Sequence, residues 1–273
     1  MIFMSRESAT YTHGHHESVL RSHIWRTAEN SAAYLLPQLK HGMTLLDVGC
    51  GPGTITTDLA ALVAPGRVVA VDYAEGVLEQ ARAHAADAGY ADRIEFRTGD
   101  VHDLDFPDDT FDVVHAHQVL QHVGDPVQAL REMRRVCKPG GVVAARDGDY
   151  GAIFWYPEIP ALGDWQRYYI QVARSNGGEP NAGRQLHAWA RSAGFENIET
   201  SSATWCFATP AERRWWGSSW SERAVKSNFA QSAVSGGYAT QEQLQQLASG
   251  WLQWADEPDG WLTIPHGQIV CRV

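Results

Sequence analysis

The run Thr44-Leu45-Leu46-Asp47-Val48-Gly49-Cys50-Gly51-Pro52-Gly53-Thr54 sets an apolar strand directly before three glycines at alternate positions and a helix start. Backbone that lacks Cβ atoms can approach a ligand to van der Waals distance, so Gly49, Gly51 and Gly53 mark a seat for a nucleotide-like molecule. The third glycine falls one position earlier than in the G-x-G-x-x-G dinucleotide fingerprint, and Thr54 stands where the last glycine would be. About twenty residues on, Asp72 closes the apolar run 67–72, where a carboxylate can accept hydrogen bonds from both ribose hydroxyls. Its competing role is a cap on the next helix. Residues 93–101 form a third strand closing on Gly99-Asp100-Val101. There Asp100 can accept from an exocyclic adenine amine, and Val101 can offer its backbone N–H to a ring nitrogen.

The blocks LDVGCGPG, VVAVD, FRTGDV, FDVVHAHQVLQHV and RRVCKPGGVV occur in one order. That order resembles the class I S-adenosylmethionine (SAM)-dependent methyltransferases, especially the small-molecule enzymes of ubiquinone and menaquinone biosynthesis. The resemblance is detailed over residues 20–150. It implies that Asp47, Gly49, Gly51 and Gly53 line the methionine half of SAM, and that Asp72 and Tyr73 take the ribose and one adenine face. Asp100 and Val101 would take the adenine edge, and His117 with Gln118 the end of the fourth strand beside the sulfonium. It also implies a helical lid over residues 1–40 that brings Arg26 to the methionine carboxylate and Tyr11 to the sulfonium. For these two the competing readings are a solvated arginine and a disordered tail. His117 is the expected general base, its ordinary pKa of about 6.5 suiting neutral pH, with a packed, backbone-bonded imidazole as the alternative.

Two other functions share some of these signals. An NAD(P)-dependent Rossmann oxidoreductase also uses a glycine loop followed by an acid. The early third glycine, the Gly99-Asp100 block and the lack of a Tyr-x-x-x-Lys pair weigh against it. A non-catalytic SAM-binding subunit would be expected to have lost part of the cofactor blocks, and all are retained.

Coarse periodicity supplies the frame. A helical stretch over 17–39, stopped near Pro37, precedes the first strand; helices over 55–63 and 74–88 follow the first and second strands. Residues 111–116 form a fourth strand. Asp125-Pro126 starts the next helix as N-cap and N1 residue, with Val127, Leu130, Met133 and Val136 or Cys137 facing inward. The turn 138–141 then delivers a fifth strand over 142–145. This rhythm predicts an α/β, doubly wound, Rossmann-like, mostly parallel seven-stranded sheet with an antiparallel edge strand and helical cap insertions. The expected division is one methyltransferase domain over 1–273. It comprises the lid 1–40, a SAM-binding core 41–150, a substrate cap from 151–180 and 209–258, and the rest of the sheet from 181–208 and 259–273. Strands over 198–207 and 261–273 close the sheet, and Pro265-His266-Gly267 suggests a bend or bulge.

Ten of the eleven tryptophans lie beyond residue 150. Trp155, Trp215, Trp216 and Trp220 are the expected walls of an apolar or aromatic acceptor site, against the plainer role of packing a helical cap. No basic cluster is read as facing them, which favours an apolar acceptor over a sugar or phosphate. The expected product is an O-, N- or C-methylated small molecule, made by a monomer or homodimer. A formal charge of −10 argues against broad contact with nucleic acid or anionic membrane. With no apolar run long enough for a leader or span, a soluble cytoplasmic protein is expected. Cys50, Cys137, Cys206 and Cys271 are scattered without a C-x-x-C pair, so no metal or disulfide framework is expected. His13, His15 and His16 read as a solvated cluster, and zinc ligation by His115, His117 and His122 as improbable chemistry for this branch.

Overall fold

A computed structural model describes residues 7–12 and 17–273; His13, His15 and His16 lie outside the described residues. Five strands run parallel in the order β3-β2-β1-β4-β5: β1 Leu45–Val48, β2 Val68–Asp72, β3 Ile94–Thr98, β4 Phe111–His117 and β5 Cys137–Gly148. Helices α3 (Thr54–Val63) and α4 (Glu75–Asp87) make the crossovers on one side of β1, and α5 (Pro126–Val136) makes the one between β4 and β5. The apolar runs of β1, β4 and β5 are covered on both faces, which is why they read as continuous rather than alternating. Chain order reverses between β1 and β4, and the loops after these two strands form a crevice at the carboxyl edge.

Beyond β5 the sheet turns antiparallel. Strand β8 (Trp261–Arg272) pairs with β5 over residues 266–272 and with the short β6 (Phe154–Tyr156) over 261–263, while β7 (Asn197–Phe207) pairs along its other edge. The expectation of seven strands therefore falls one short. The aromatic triplet of β6, a good edge-strand composition, lies inside the segment assigned to the cap. The expected bend at Pro265 is also absent, since pairing with β7 runs through Thr204↔Pro265 without a register shift. The Pro265 carbonyl accepts from Asp149 N at 3.0 Å, so its nitrogen faces that same side, the gap between β5 and β6 where no ladder needs a donor.

The N-terminal stretch is broken rather than one helix. It comprises α1 (Glu17–Ile24), α2 (Ala28–Ser31) and a single 3₁₀ turn, Leu36–Gln38. Thr27 interrupts it with an extended backbone and a reciprocal capping box with Asn30, which stops α1 from running on. Trp25 and Arg26 thus sit in a linker that turns toward the crevice. Helix α1 lies on α8 (Pro210–Lys226), joined by the Arg21–Glu222 ion pair and by Arg223 Nη2 donating to Ser22 Oγ at 2.7 Å.

The cap consists of α6 (Pro160–Ser175), α8, α9 (Asn228–Ser235) and α10 (Gln241–Asp256). Its core is aromatic: Trp165 meets Trp220 at 4.6 Å and Trp251 at 4.8 Å between ring centres, edge to face. Gly217 of α8 faces Ala255 of α10 so closely that a Cβ would come within 2.7 Å of it. Between the cap segments, α7 (Leu186–Ser192) covers the sheet beside α5, burying Leu186 and Ala190 in a stretch expected to contribute only strand.

Candidate active site

The crevice opens into a cavity of about 560 Å³. Gly49, Gly51 and Gly53 all have positive φ, at 66°, 55° and 80°. A Cβ on Gly49 would come within 2.3 Å of Val119 Cγ2, whereas one on Gly51 would project into open cavity space. The structure corrects the reading of Gly53. It is the residue before α3, and its α-carbon side is closed by Ala81 of α4, 3.0 Å from where a Cβ would stand; it does not line the cavity. Asp47 lies beneath the loop, with Oδ1 2.8 Å from His115 Nδ1 and Oδ2 accepting from Thr56 Oγ1 at 2.5 Å. His115 is thereby a buried partner of Asp47.

At the far end the Asp72 carboxylate braces the backbone on both sides of it, and it does not cap α4, whose N-cap is Ala74. Its Oδ2 accepts from Gly51 N and its Oδ1 from Ala74 N, both at 2.9 Å, while the residue lines the cavity beside the exposed Tyr73. Asp100 accepts from Glu7 N at 3.0 Å and from His102 N at 2.9 Å, and His102 Nδ1 lies 2.7 Å from its Oδ1. Val101 is buried on the same wall. The buried His102 was missed by the sequence reading, although its place two residues after Asp100 is a usable signal for a side chain that turns back onto a carboxylate.

The opposite end gathers residues from every layer. Arg26 donates through Nη2 to Gln118 Oε1 at 2.7 Å, and Gln118, whose φ is 54°, is also 2.8 Å from His266 Nε2. A non-glycine residue in that conformation costs energy, and these two contacts hold it there. Tyr11 stands with its ring edge-on to His122 at 4.8 Å and its hydroxyl 3.5 Å from His23 Nε2. His117 lies beside the touching pair Trp205 and His266, at 5.8 and 6.4 Å from them, and among the described residues neither of its ring nitrogens has a hydrogen-bond partner.

Burial governs the electrostatics. It raises the Tyr11 hydroxyl well above the ordinary tyrosine range and lowers Arg26 to about 10. Burial and then Arg26 take His122 down to about 3. His117 is also driven well below 6.5, first by burial and then by Arg146 and Arg26. Its expected fitness as a base of ordinary pKa is therefore overturned: the ring is neutral at pH 7, and its protonated form is disfavoured.

Of the four expected tryptophan walls, only Trp216 lines the cavity. Trp220 is a cap-core residue against Trp165 and Trp251, Trp155 of β6 pairs with Leu262 of β8, and Trp215 clasps Trp25 at 5.5 Å. The walls are instead Trp205 of β7, Tyr150, Ile264 and Trp216. The reading that no basic cluster faces the tryptophans is corrected as well. Arg26 and Arg146 lie over Trp205 at 5.5 and 4.8 Å, and Arg223 over Trp216 and Trp220 at 5.8 and 5.1 Å. These arginines come from the α1–α2 linker, β5 and α8, so only folding assembles them. The spacing of Trp216, Trp220 and Arg223 at i, i+4 and i+7 was nonetheless a legible sign of one shared helix face.

Among the described residues no group of three His, Cys, Asp or Glu side chains forms a metal cluster, and no helix is long and apolar enough to cross a membrane.

A family model described as a methyltransferase domain matches residues 39–203. An uncharacterized methyltransferase of Schizosaccharomyces pombe is 35% identical over 274 residues, covering 96% of each chain. A demethylmenaquinone methyltransferase of Symbiobacterium thermophilum is 35% identical over 179 residues, 58% of this chain and 70% of its own. The crystal structure of the Bacillus subtilis YcgJ protein covers 89% of this chain and 98% of its own with a TM-score of 0.59 at 18% identity, a likeness of fold. The chain belongs to the methyltransferase-domain family. It is a SAM-dependent methyltransferase similar to the quinone methyltransferases, which removes the oxidoreductase reading.

Proposed function

We propose that this enzyme methylates an O, N or C atom of a small, largely apolar or aromatic molecule held under the helical cap. The observation that carries the reading is one continuous cavity, which runs from Gly51, Asp72 and Asp100 at one end to Trp205, Trp216 and Tyr150 at the other. Bound along that axis, SAM supplies a methyl on a positive sulfur: the acceptor's electron pair forms the new bond to carbon as the C–S bond breaks, and its pair stays on sulfur as a neutral thioether.

The chain's residues then have positioning tasks. Asp72 takes the ribose hydroxyls, Tyr73 and Val101 flank the base, and Asp100 accepts from its amine. Arg26, with Gln118 holding its guanidinium, pairs with the methionine carboxylate. The aromatic end excludes water and aligns the acceptor within about 3–3.5 Å of the methyl, where proximity supplies much of the rate. Neutral His117, which lines the cavity with both ring nitrogens buried and without a hydrogen-bond partner among the described residues, accepts a proton from acceptors that carry one, and the Tyr11 hydroxyl orients the sulfonium side.

The direct test is incubation of the protein with methyl-labelled SAM and a panel of phenols, indoles, amines and terpenoids, alongside calorimetry with SAM. Transfer of label to at least one class is expected, and SAM binding without transfer to any would favour a non-catalytic subunit. His117→Asn should keep SAM affinity and lose about 10²-fold in turnover on a protonated acceptor. Because the ring's pKa is lowered, the wild-type rate should not fall between pH 8 and 6.5, and its acid limb should lie below 6.5. A limb at 7 or above that disappears in His117→Asn would contradict the buried placement.

We also propose that residues 1–40 act as a lid over the loaded cavity. Trypsin cleavage after Arg21, whose side chain is half exposed, should slow when the demethylated product S-adenosylhomocysteine is added. Equal rates with and without it would dismiss the lid.

A further inference from the structure

We infer that His102 is a positioning residue of the adenine subsite: its imidazole, fixed as the Nδ1–H tautomer by the start of α5, orients the Asp100 carboxylate and makes the site selective for the exocyclic amine over an oxo group. This rests on the reading of Asp100 as the amine's acceptor and adds the residue that acts through it.

Geometry determines the tautomer. His102 is 2% exposed and lies behind Asp100, which lines the cavity while His102 does not. The backbone nitrogen of Asp125, the N-cap residue of α5, donates to His102 Nε2 at 3.3 Å. A backbone N–H can only donate, so Nε2 is the acceptor and the ring proton stands on Nδ1. That nitrogen is 2.7 Å from Asp100 Oδ1, whereas Glu7 Oε2 is 3.8 Å away, so the proton goes to Asp100. A second tie from α5, Gln128 Nε2 donating to His102 O at 3.2 Å, holds the residue's backbone. Asp100 Oδ1 also accepts from His102 N at 2.9 Å, closing an Asx turn, and Oδ2 accepts from Glu7 N at 3.0 Å. These two backbone bonds hold one point on each oxygen, and the ring, clamped at both nitrogens, adds a bond to Oδ1 from a further direction. Each of the three groups donates, so the carboxylate takes the part of acceptor throughout. An amine hydrogen suits it, whereas an oxo oxygen in that place would set acceptor against acceptor, at the cost of an unmade buried hydrogen bond.

Two substitutions separate the tasks of the two ring nitrogens. Asn places an amide nitrogen near the Nδ1 position, so His102→Asn keeps the donor to Asp100 and gives up the contact to α5. Gln reaches the Nε2 position, where its amide oxygen accepts from Asp125 N, so His102→Gln keeps the helix contact and gives up the donor to Asp100. Calorimetry on the full chain would compare S-adenosylhomocysteine with S-inosylhomocysteine, which carries an oxo group in place of the amine. Wild type should prefer the adenosyl compound by about 30-fold. His102→Asn should keep a preference above about tenfold, and His102→Gln should fall below about threefold. If His102→Gln discriminates as well as His102→Asn, the ring only packs the turn and the inference is wrong. In the wild type, long-range proton–nitrogen NMR correlation should show His102 protonated at Nδ1 and bare at Nε2 at neutral pH. The opposite tautomer, or a ring protonated at both nitrogens, overturns the inference, and this measurement decides should either variant fail to fold. A wild type that binds both compounds equally would remove Asp100 from the amine and take the inference with it. Failure to bind either compound would strike at the proposed function itself, and so is distinguishable.

Discussion

Asp72→Ala should bind SAM at least 100-fold more weakly than the wild type while unfolding at nearly the same temperature. In the role proposed for it the carboxylate accepts from two ribose hydroxyls, and hydrogen bonds to a charged group contribute about 1.5–3 kcal/mol each, so losing both costs about 3 kcal/mol or more. The same oxygens accept from Gly51 N and Ala74 N, so the change also slackens the loop that must meet the ligand. Asp72→Asn, which can still accept at one oxygen, should fall between the two. Gly51→Val should be at least as damaging, because its side chain would project into cavity space from a backbone with φ of 55°. Titration calorimetry is the measurement, and a dissociation constant for Asp72→Ala within threefold of wild type would remove Asp72 from the cofactor site.

Trp251→Ala should be the most destabilising single truncation in the cap, at about 3–5 kcal/mol. The ring is fully buried and touches Trp165, Trp220 and Trp254 at 4.8, 5.7 and 5.9 Å between centres, so no solvent or flexible neighbour can refill the space. Trp215→Ala, at the half-buried clasp with Trp25, should cost less than half as much. Denaturant midpoints followed by near-ultraviolet circular dichroism would rank the two. A loss below about 1 kcal/mol for Trp251→Ala would mean that the cap core is loose. The same experiment bears on the site, because Arg223 and Trp216 ride on α8, whose inner face packs on α10 through Gly217.

The alternation of strand and helix, the parallel core and the edge where ligands gather were all readable from residues 44–145. Signals there are local. An apolar run ending in glycine, an Asp125-Pro126 helix start confirmed by Asp125 Oδ1 accepting from Gln128 N, and acids closing successive strands each act over a few residues. Asp47, Gly49, Gly51, Asp72, Tyr73, Asp100, Val101, His117 and Gln118, the residues expected to hold the cofactor, accordingly line one cavity. Even so, Gly53 shows the limit of a motif, because a glycine needed for helix packing looks the same in sequence as one needed for a ligand.

What only the tertiary structure decided is which side chains share the aromatic end. A tryptophan in a cap helix has the same composition signal whether it fills the core, as Trp220 does, or faces the cavity, as Trp216 does. Their separation depends on how α8 is rotated against α6 and α10. Arg26, Arg146 and Arg223 are far apart in the chain and meet the ring faces of Trp205, Trp216 and Trp220 only after β7, β8 and the cap have closed. The depressed basicity of His117 arises in the same way. The imidazole carries its ordinary affinity for a proton in the sequence, and loses it to burial and two arginines that folding brings beside it, because the energy of a charge is set by the whole surrounding volume rather than by its neighbours in the chain.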